Sequence, residues 1–130
     1  MSKKIRVICA ICSRQKSEKS GLIPAHLRYT SPRIQVIKNI ANKEGVPFFI
    51  LSGKYGFISA DKEVPYYDYL LTLDGVKKLV PIVIQQLNEF EIGQIDFYTK
   101  PIEGNRITYY KVIEEAAKAT GVKLVLDHLP

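Results

Sequence analysis

Only two cysteines and two histidines occur in the 130 residues, and no apolar run approaches the length that crosses a bilayer. The longest such stretches, Ile5 to Ile11 and Phe48 to Leu51, fall far short of the ~20 residues a span requires, so no membrane partner is expected. The start, Met1-Ser2-Lys3-Lys4, is basic. The run after it contains Arg6 and leads into polar sequence without a small-residue cleavage site, so it reads as a first strand rather than an export signal. Scarce cysteine and no export signal together predict a protein of the reducing cytoplasm with both thiols free. Cys9 and Cys12 have the spacing of a redox dithiol, but Cys9 falls inside a strand. Period-two alternation then turns the two side chains to opposite faces. Cys9 is therefore assigned to the core and Cys12 to the site. With His26 and His128 distant from each other and from the cysteines, a closed four-ligand zinc site has no support, and neither metal nor cofactor is expected. Gly53-Lys54 lacks both the following Ser or Thr and the earlier spaced glycine of a P-loop, which argues against a nucleoside triphosphatase of that kind.

What the chain does have is the composition of one globular domain, spanning 1–130: 46% of residues are hydrophobic, enough for a core, and no repeat, low-complexity tract or linker divides it. A net charge of +6 favours phosphorylated or polyanionic partners, because a positive field concentrates anions; lysine-rich faces can equally be plain solvated surface.

Lys4 to Ile11 reads as a strand and Cys12 to Ser20 as a polar stretch. Ser31-Pro32 starts a helix, with Ser31 as cap and Gly45 as stop. Pro47 to Ser52 is a continuous apolar run, the mark of a strand covered on both faces, and Gly53 to Gly56 is a loop. Thr72 or Asp74 caps a helix with a stripe of Val76, Leu79, Val80, Val83, Leu87 and Phe90, which Pro81 is expected to disturb. Gln94 to Thr99, Arg106 to Thr120 and Val122 to Leu126 complete an alternation of strand and helix. It predicts an α/β three-layer sandwich with a mainly parallel sheet of about four strands. The pattern carries no information on strand order or oligomeric state.

In such sheets ligands collect beyond the carboxyl ends of the strands. That rule selects Cys12, Ser13, Arg14 and Lys16 after the first strand and Ser52, Lys54 and Tyr55 after the second. It selects Tyr98, Thr99 and Lys100 after the third, and Asp127 and His128 at the fourth. Hydroxyls mixed with cations suit a phosphate, a ribose or a nucleobase. Gly53 and Gly56 imply a close backbone approach to some neighbour, or simply a turn. In Pro65-Tyr66-Tyr67-Asp68-Tyr69, aromatic rings can stack on a base and Asp68 can activate water; alternatively the tyrosines cover the sheet edge and Asp68 stabilises the turn. His26 can approach the first-strand loop or lie on the surface.

Cys12-Ser13 with Lys16, Pro24-Ala25 with Leu27, Tyr29 and Ser31-Pro32, then Leu51-Ser52-Gly53-Lys54-Tyr55-Gly56, and Pro65-Tyr66 with Asp68 and Leu71-Thr72-Leu73 form a recognisable series. It resembles an uncharacterised family of small prokaryotic and phage proteins whose hallmark is Leu-Ser-Ala-Lys-Tyr-Gly followed by Pro-Tyr-Asp and Thr-Leu. Gly53 stands where that hallmark has alanine, and either Tyr66 or Tyr67 matches its tyrosine. The family is distantly similar to the catalytic domain of archaeosine synthase and to uracil-DNA-glycosylase-like folds. The resemblance implies one pocket that handles a nucleotide, nucleobase or nucleic acid. The expected site has Asp68, Cys12 and Lys54 as catalytic residues, with Ser13, Arg14, Lys16, Tyr29, Ser31, Ser52, Gly53, Tyr55, Gly56 and Tyr66 binding substrate. A base-modifying or repair enzyme of glycosidase or base-transfer type leads; the alternatives are a noncatalytic nucleic-acid-binding module and a regulatory protein that holds a small anion.

Overall fold

Val7 to Ala10 have no solvent exposure, which requires a strand with neighbours on both edges and layers on both faces. In the computed structural model, which describes residues 4–129, that strand is β1 (Ile5–Ile11) at the centre of a five-stranded sheet. It pairs in parallel with β3 (Phe48–Ser52) on one side and β6 (Ile92–Thr99) on the other, and β6 pairs in parallel with β7 (Lys123–His128). The strand missing from the sequence reading is β4 (Gly56–Ser59), which folds back antiparallel on β3 and raises the count from about four to five. A second, two-stranded sheet joins β2 (Ile23–Pro24) to β5 (Glu63–Val64).

Alternate residues of β1 serve two cores. Val7, Cys9 and Ile11 pack with α3 (Leu73–Glu89) and α4 (Arg106–Thr120), whereas Ile8 and Ala10 pack with the one-turn α1 (Ala25–Arg28) and with Ile34, Ile37 and Ala41 of α2 (Pro32–Glu44). The predicted bounds of α4 are those observed, with Gly121 left-handed as its stop, and Gly45 ends α2 in the same way. Thr72 caps α3 by accepting the Gly75 N–H at 3.1 Å. Pro81 does not interrupt that helix: it lies on the exposed side, where the carbonyl it leaves unbonded can reach water. Ser31 precedes α2 but makes no side-chain capping bond; Ser13 Oγ instead accepts the Ser31 amide at 3.4 Å.

The strand order has one functional consequence. The chain leaves β1 for α2 on one face and leaves β6 for α4 on the other, although β1 and β6 are neighbours. Loops that depart in opposite directions from adjacent parallel strands leave a crevice between them.

Candidate functional site

A cavity of about 220 Å³ occupies that crevice. The end of β1 and the loop after it supply Ile11, Cys12, Ser13, Arg14 and Lys16, and the end of β6 supplies Thr99 and Lys100. Asn105, Arg106 and Tyr109 come from the start of α4, Arg33 from α2, and Asp68, Tyr69 and Leu70 from the segment before α3. Among the described residues, five cationic side chains and a single carboxylate therefore line this space.

The cations differ in freedom. Arg33 donates to the Ile11 and Cys12 carbonyls at 2.5 and 2.7 Å, which fixes the turn out of β1 and commits much of its guanidinium. Arg106 donates to the Pro101 carbonyl at 2.6 Å and lies 3.6 Å from Glu103. Arg14, Lys16 and Lys100 have no carboxylate within ion-pair distance among the described residues, so their charge is available to a ligand. Asp68 is exposed and likewise has no cation at ion-pair distance among these residues.

Beneath the cavity lies a chain of buried hydroxyls. Ser52 Oγ accepts the Lys54 and Tyr55 amides at 3.2 and 3.0 Å and lies 3.0 Å from the Tyr67 hydroxyl, which in turn meets the Tyr29 hydroxyl at 2.5 Å. With both Ser52 lone pairs engaged, its proton is directed to Tyr67. Burial raises three phenols: Tyr29 is pushed up to about 12, and Tyr67 and Tyr109 are displaced in the same direction. Burial also pushes the Cys12 thiol up, against the opposing pull of the Gly53 amide, the Tyr109 hydroxyl and the nearby cations. Cys12 thus rests as a thiol, not as a poised thiolate.

The expected site residues divide accordingly. Asp68, Cys12, Ser13, Arg14 and Lys16 line the cavity; Lys54, Tyr55, Tyr29, Ser31, Ser52, Gly53, Gly56 and Tyr66 do not. Tyr29 is buried at 1% exposure and Ser52 at 0%, so both are interior supports rather than ligands. Gly53 is close to a neighbour, as its type implied, but that neighbour is the protein: a Cβ there would lie 2.9 Å from the Tyr109 hydroxyl. Gly56 has a φ of +81° and opens β4, where Gln86 clamps the turn by accepting the Phe57 amide at 2.6 Å and donating to the Tyr55 carbonyl at 2.9 Å. The Leu51–Gly56 segment is a hairpin turn secured from both sides.

Of the two candidate tyrosines, Tyr67 is the one that points inward; Tyr66 is exposed and faces Pro65 and the 18–22 loop. Lys54 and Asp68 do not share a cavity, but Tyr67 links their neighbourhoods: the Lys16 and Lys54 ammoniums lie 4.7 and 5.4 Å from its ring centre. His26 sits away from the first-strand loop, with Nε2 3.8 Å from Asp61 and Nδ1 buried without a partner. Asp127 and His128 end β7 without reaching the cavity.

The residues missed from sequence were Arg33, Asn105, Arg106, Tyr109 and Leu70, whereas Tyr69 belongs to the tyrosine cluster that the sequence singles out. The start of the helix after β6 was the available signal for Arg106 and Tyr109, since that loop and helix end belong to the same rim. Arg33 could not be found that way, because its role depends on α2 lying against the end of β1.

The fold and site together define an α/β domain with a basic, single-carboxylate cavity at the switch point of a mainly parallel sheet. Comparison with family models, with curated proteins and with solved structures gives no match. Among the described residues no helix is long and apolar enough to cross a membrane, and no group of three or more His, Cys, Asp or Glu side chains is placed to hold a metal ion.

Proposed function

We propose that the cavity takes the phosphate-bearing part of a nucleotide and that the protein acts on the attached base, in the manner of a glycosidase or base-transfer enzyme of nucleic-acid modification or repair. The carrying observation is the convergence of Arg14, Lys16, Arg33, Lys100 and Arg106 from four chain segments on a space with Asp68 as its single carboxylate. Such an array favours an anion through charge-assisted hydrogen bonds. Asp68 accepts no internal cation, which supports a role toward ligand: accepting a proton from an attacking water or holding a polar edge of the base. Exposed Tyr69, at the same cavity, offers a stacking face. The resemblance carried by Leu51–Gly56 and Pro65–Asp68 supports the same substrate class.

A volume of about 220 Å³ lies below the ~300–1,000 Å³ of drug-sized sites, so it suits one phosphate with its sugar or base. Mononucleotides at a hundredfold excess over Kd should add about 2.7 kcal/mol of stability, a rise of ~10 °C in melting temperature for a chain of this size. Lys100→Ala and Arg14→Ala should each weaken binding roughly tenfold. Asp68→Asn should keep binding and slow turnover ~10²–10⁴-fold. No stabilisation by any mononucleotide, or full binding by the Lys100 and Arg14 variants, would refute the assignment.

Two observations favour the noncatalytic alternative: among the described residues the cavity offers no second carboxylate, and Cys12 is held as a thiol. A binding module would show no turnover on any substrate and a steep loss of affinity with salt.

A further inference from the structure

The cationic surface does not end at the cavity mouth. Lys16 lines the cavity and also lies over the Tyr67 ring at 4.7 Å from its centre. Outside the cavity, Lys54 approaches the same ring at 5.4 Å and the Tyr55 ring at 5.5 Å. Neither lysine has a carboxylate within ion-pair distance among the described residues. Two like charges held near one aromatic ring, without a counter-ion, are poorly arranged for the protein alone. An anion that crosses from one to the other would resolve the arrangement, and cation–π contact restricts both side chains in advance. The platform beneath is rigid, since Ser52 and Tyr29 bond the Tyr67 hydroxyl and Gln86 clamps the turn that carries Lys54.

We infer that Lys16 and Lys54 form a second phosphate subsite, so that the ligand is a nucleic-acid strand with at least two successive phosphates and not a free nucleotide. This rests on the reading that the cavity binds a phosphate-bearing nucleotide, and it deepens it. The small cavity holds one nucleotide unit, and the strand continues from Lys16 past Tyr55 toward Lys54, with the buried Tyr67 ring beneath. The arrangement also gives Lys54 a task that its position outside the cavity otherwise lacks.

The test compares a 5′-mononucleotide with an unstructured single-stranded decamer on wild type, Lys54→Ala and Lys118→Ala, the last an exposed lysine in the final turn of α4. The decamer should bind wild type more tightly than the mononucleotide. Lys54→Ala should leave mononucleotide affinity unchanged and weaken the decamer roughly fivefold to tenfold. It should also make the slope of log affinity against log salt shallower by about 0.7, the share of one phosphate on a single strand. Lys118→Ala should change neither ligand. Equal losses in the two variants would mean diffuse basicity instead of a subsite, and a decamer no tighter than the mononucleotide would overturn the strand while leaving the cavity assignment intact. If neither ligand binds wild type, the cavity assignment and the strand fail together.

Discussion

Replacing Ser52 by alanine separates the two roles open to this residue. Its side chain has no solvent exposure, and its Oγ serves the Lys54 amide, the Tyr55 amide and the Tyr67 hydroxyl. Alanine removes all three contacts and adds no bulk. The Lys54 amide belongs to an exposed residue and can recover a water partner. The Tyr55 amide sits deeper and loses its partner at ~1–3 kcal/mol, while the Tyr67 hydroxyl keeps Tyr29 and loses one bond at ~1 kcal/mol. The expected loss is therefore about 2–4 kcal/mol, a large part of the ~5–15 kcal/mol that holds a domain together. Unfolding entropy at this chain length converts the middle of that range to a fall of ~10 °C in Tm. Urea and thermal unfolding followed by circular dichroism measure the loss, and mononucleotide titration well below the melting range measures the site. Stability should fall while affinity holds. A loss under ~1 kcal/mol would refute the hydroxyl chain as a support, and intact stability with abolished binding would place Ser52 against ligand.

Three further outcomes follow from the same geometry. Because desolvation raises the half-buried Cys12 thiol, its alkylation by iodoacetamide should be slow at pH 7 and accelerate only above the ordinary thiol range near ~8.5; fast labelling at neutral pH would contradict a thiol held protonated. Folded Tyr29, Tyr67 and Tyr109 keep their protons above the ordinary value of ~10, so the unfolded chain releases protons first. Their stabilising contribution is whole below pH ~10 and is lost as pH rises through the folded values, toward about 12 for Tyr29. Urea midpoints at pH 9, 10 and 11 with phenolate absorbance should show that decline, and all eight tyrosines titrating near pH 10 with no loss of stability would exclude it. Arg28 is fully buried and donates to the carbonyls of Ser17, Lys19, Gly21 and Val64, so Arg28→Met should cost on the order of 3 kcal/mol and open the 17–21 loop to protease, an effect that unchanged cleavage would rule out.

What the sequence disclosed was set by local chemistry. Apolar period and capping residues placed β1, α2, β3, α3, β6 and α4, because each carries its signal within its own span. The short pieces escaped: β2 and β5 have two residues each and exist because Ile23 meets Val64 and Arg28 ties their surroundings together, a matter of distant partners. β4 is hidden in the sequence because Gly53 and Gly56 mark a loop whose local signal does not distinguish a hairpin from a ligand cradle. Its pairing with β3 follows from the bonds that Ser52 and Gln86 make to the turn, and Gln86 lies on a helix much later in the chain. The cavity was half legible. The rule about strand ends found Cys12 to Lys16 and Thr99 to Lys100, whereas Arg33 and Tyr109 enter through the packing of helices on opposite faces of the sheet.

The Leu-Ser-Gly-Lys-Tyr-Gly segment and the Pro-Tyr-Tyr-Asp segment are then linked by support, not by a shared pocket wall. Tyr67 is anchored inside by Ser52 and Tyr29, and the next residue, Asp68, emerges at the cavity with no cation at ion-pair distance among the described residues. An exposed carboxylate on an unanchored loop would sample many positions, and a group that must meet a reacting atom within hydrogen-bond distance gains from a neighbour that cannot move. The hairpin turn supplies that immobility: its Ser52 Oγ is held by two backbone amides, and its Tyr55 carbonyl by Gln86. Ser52, which has no solvent exposure, can in this way set the position of the carboxylate that lines the cavity, so this part of the run works one layer below the site while Lys54 stays at the surface.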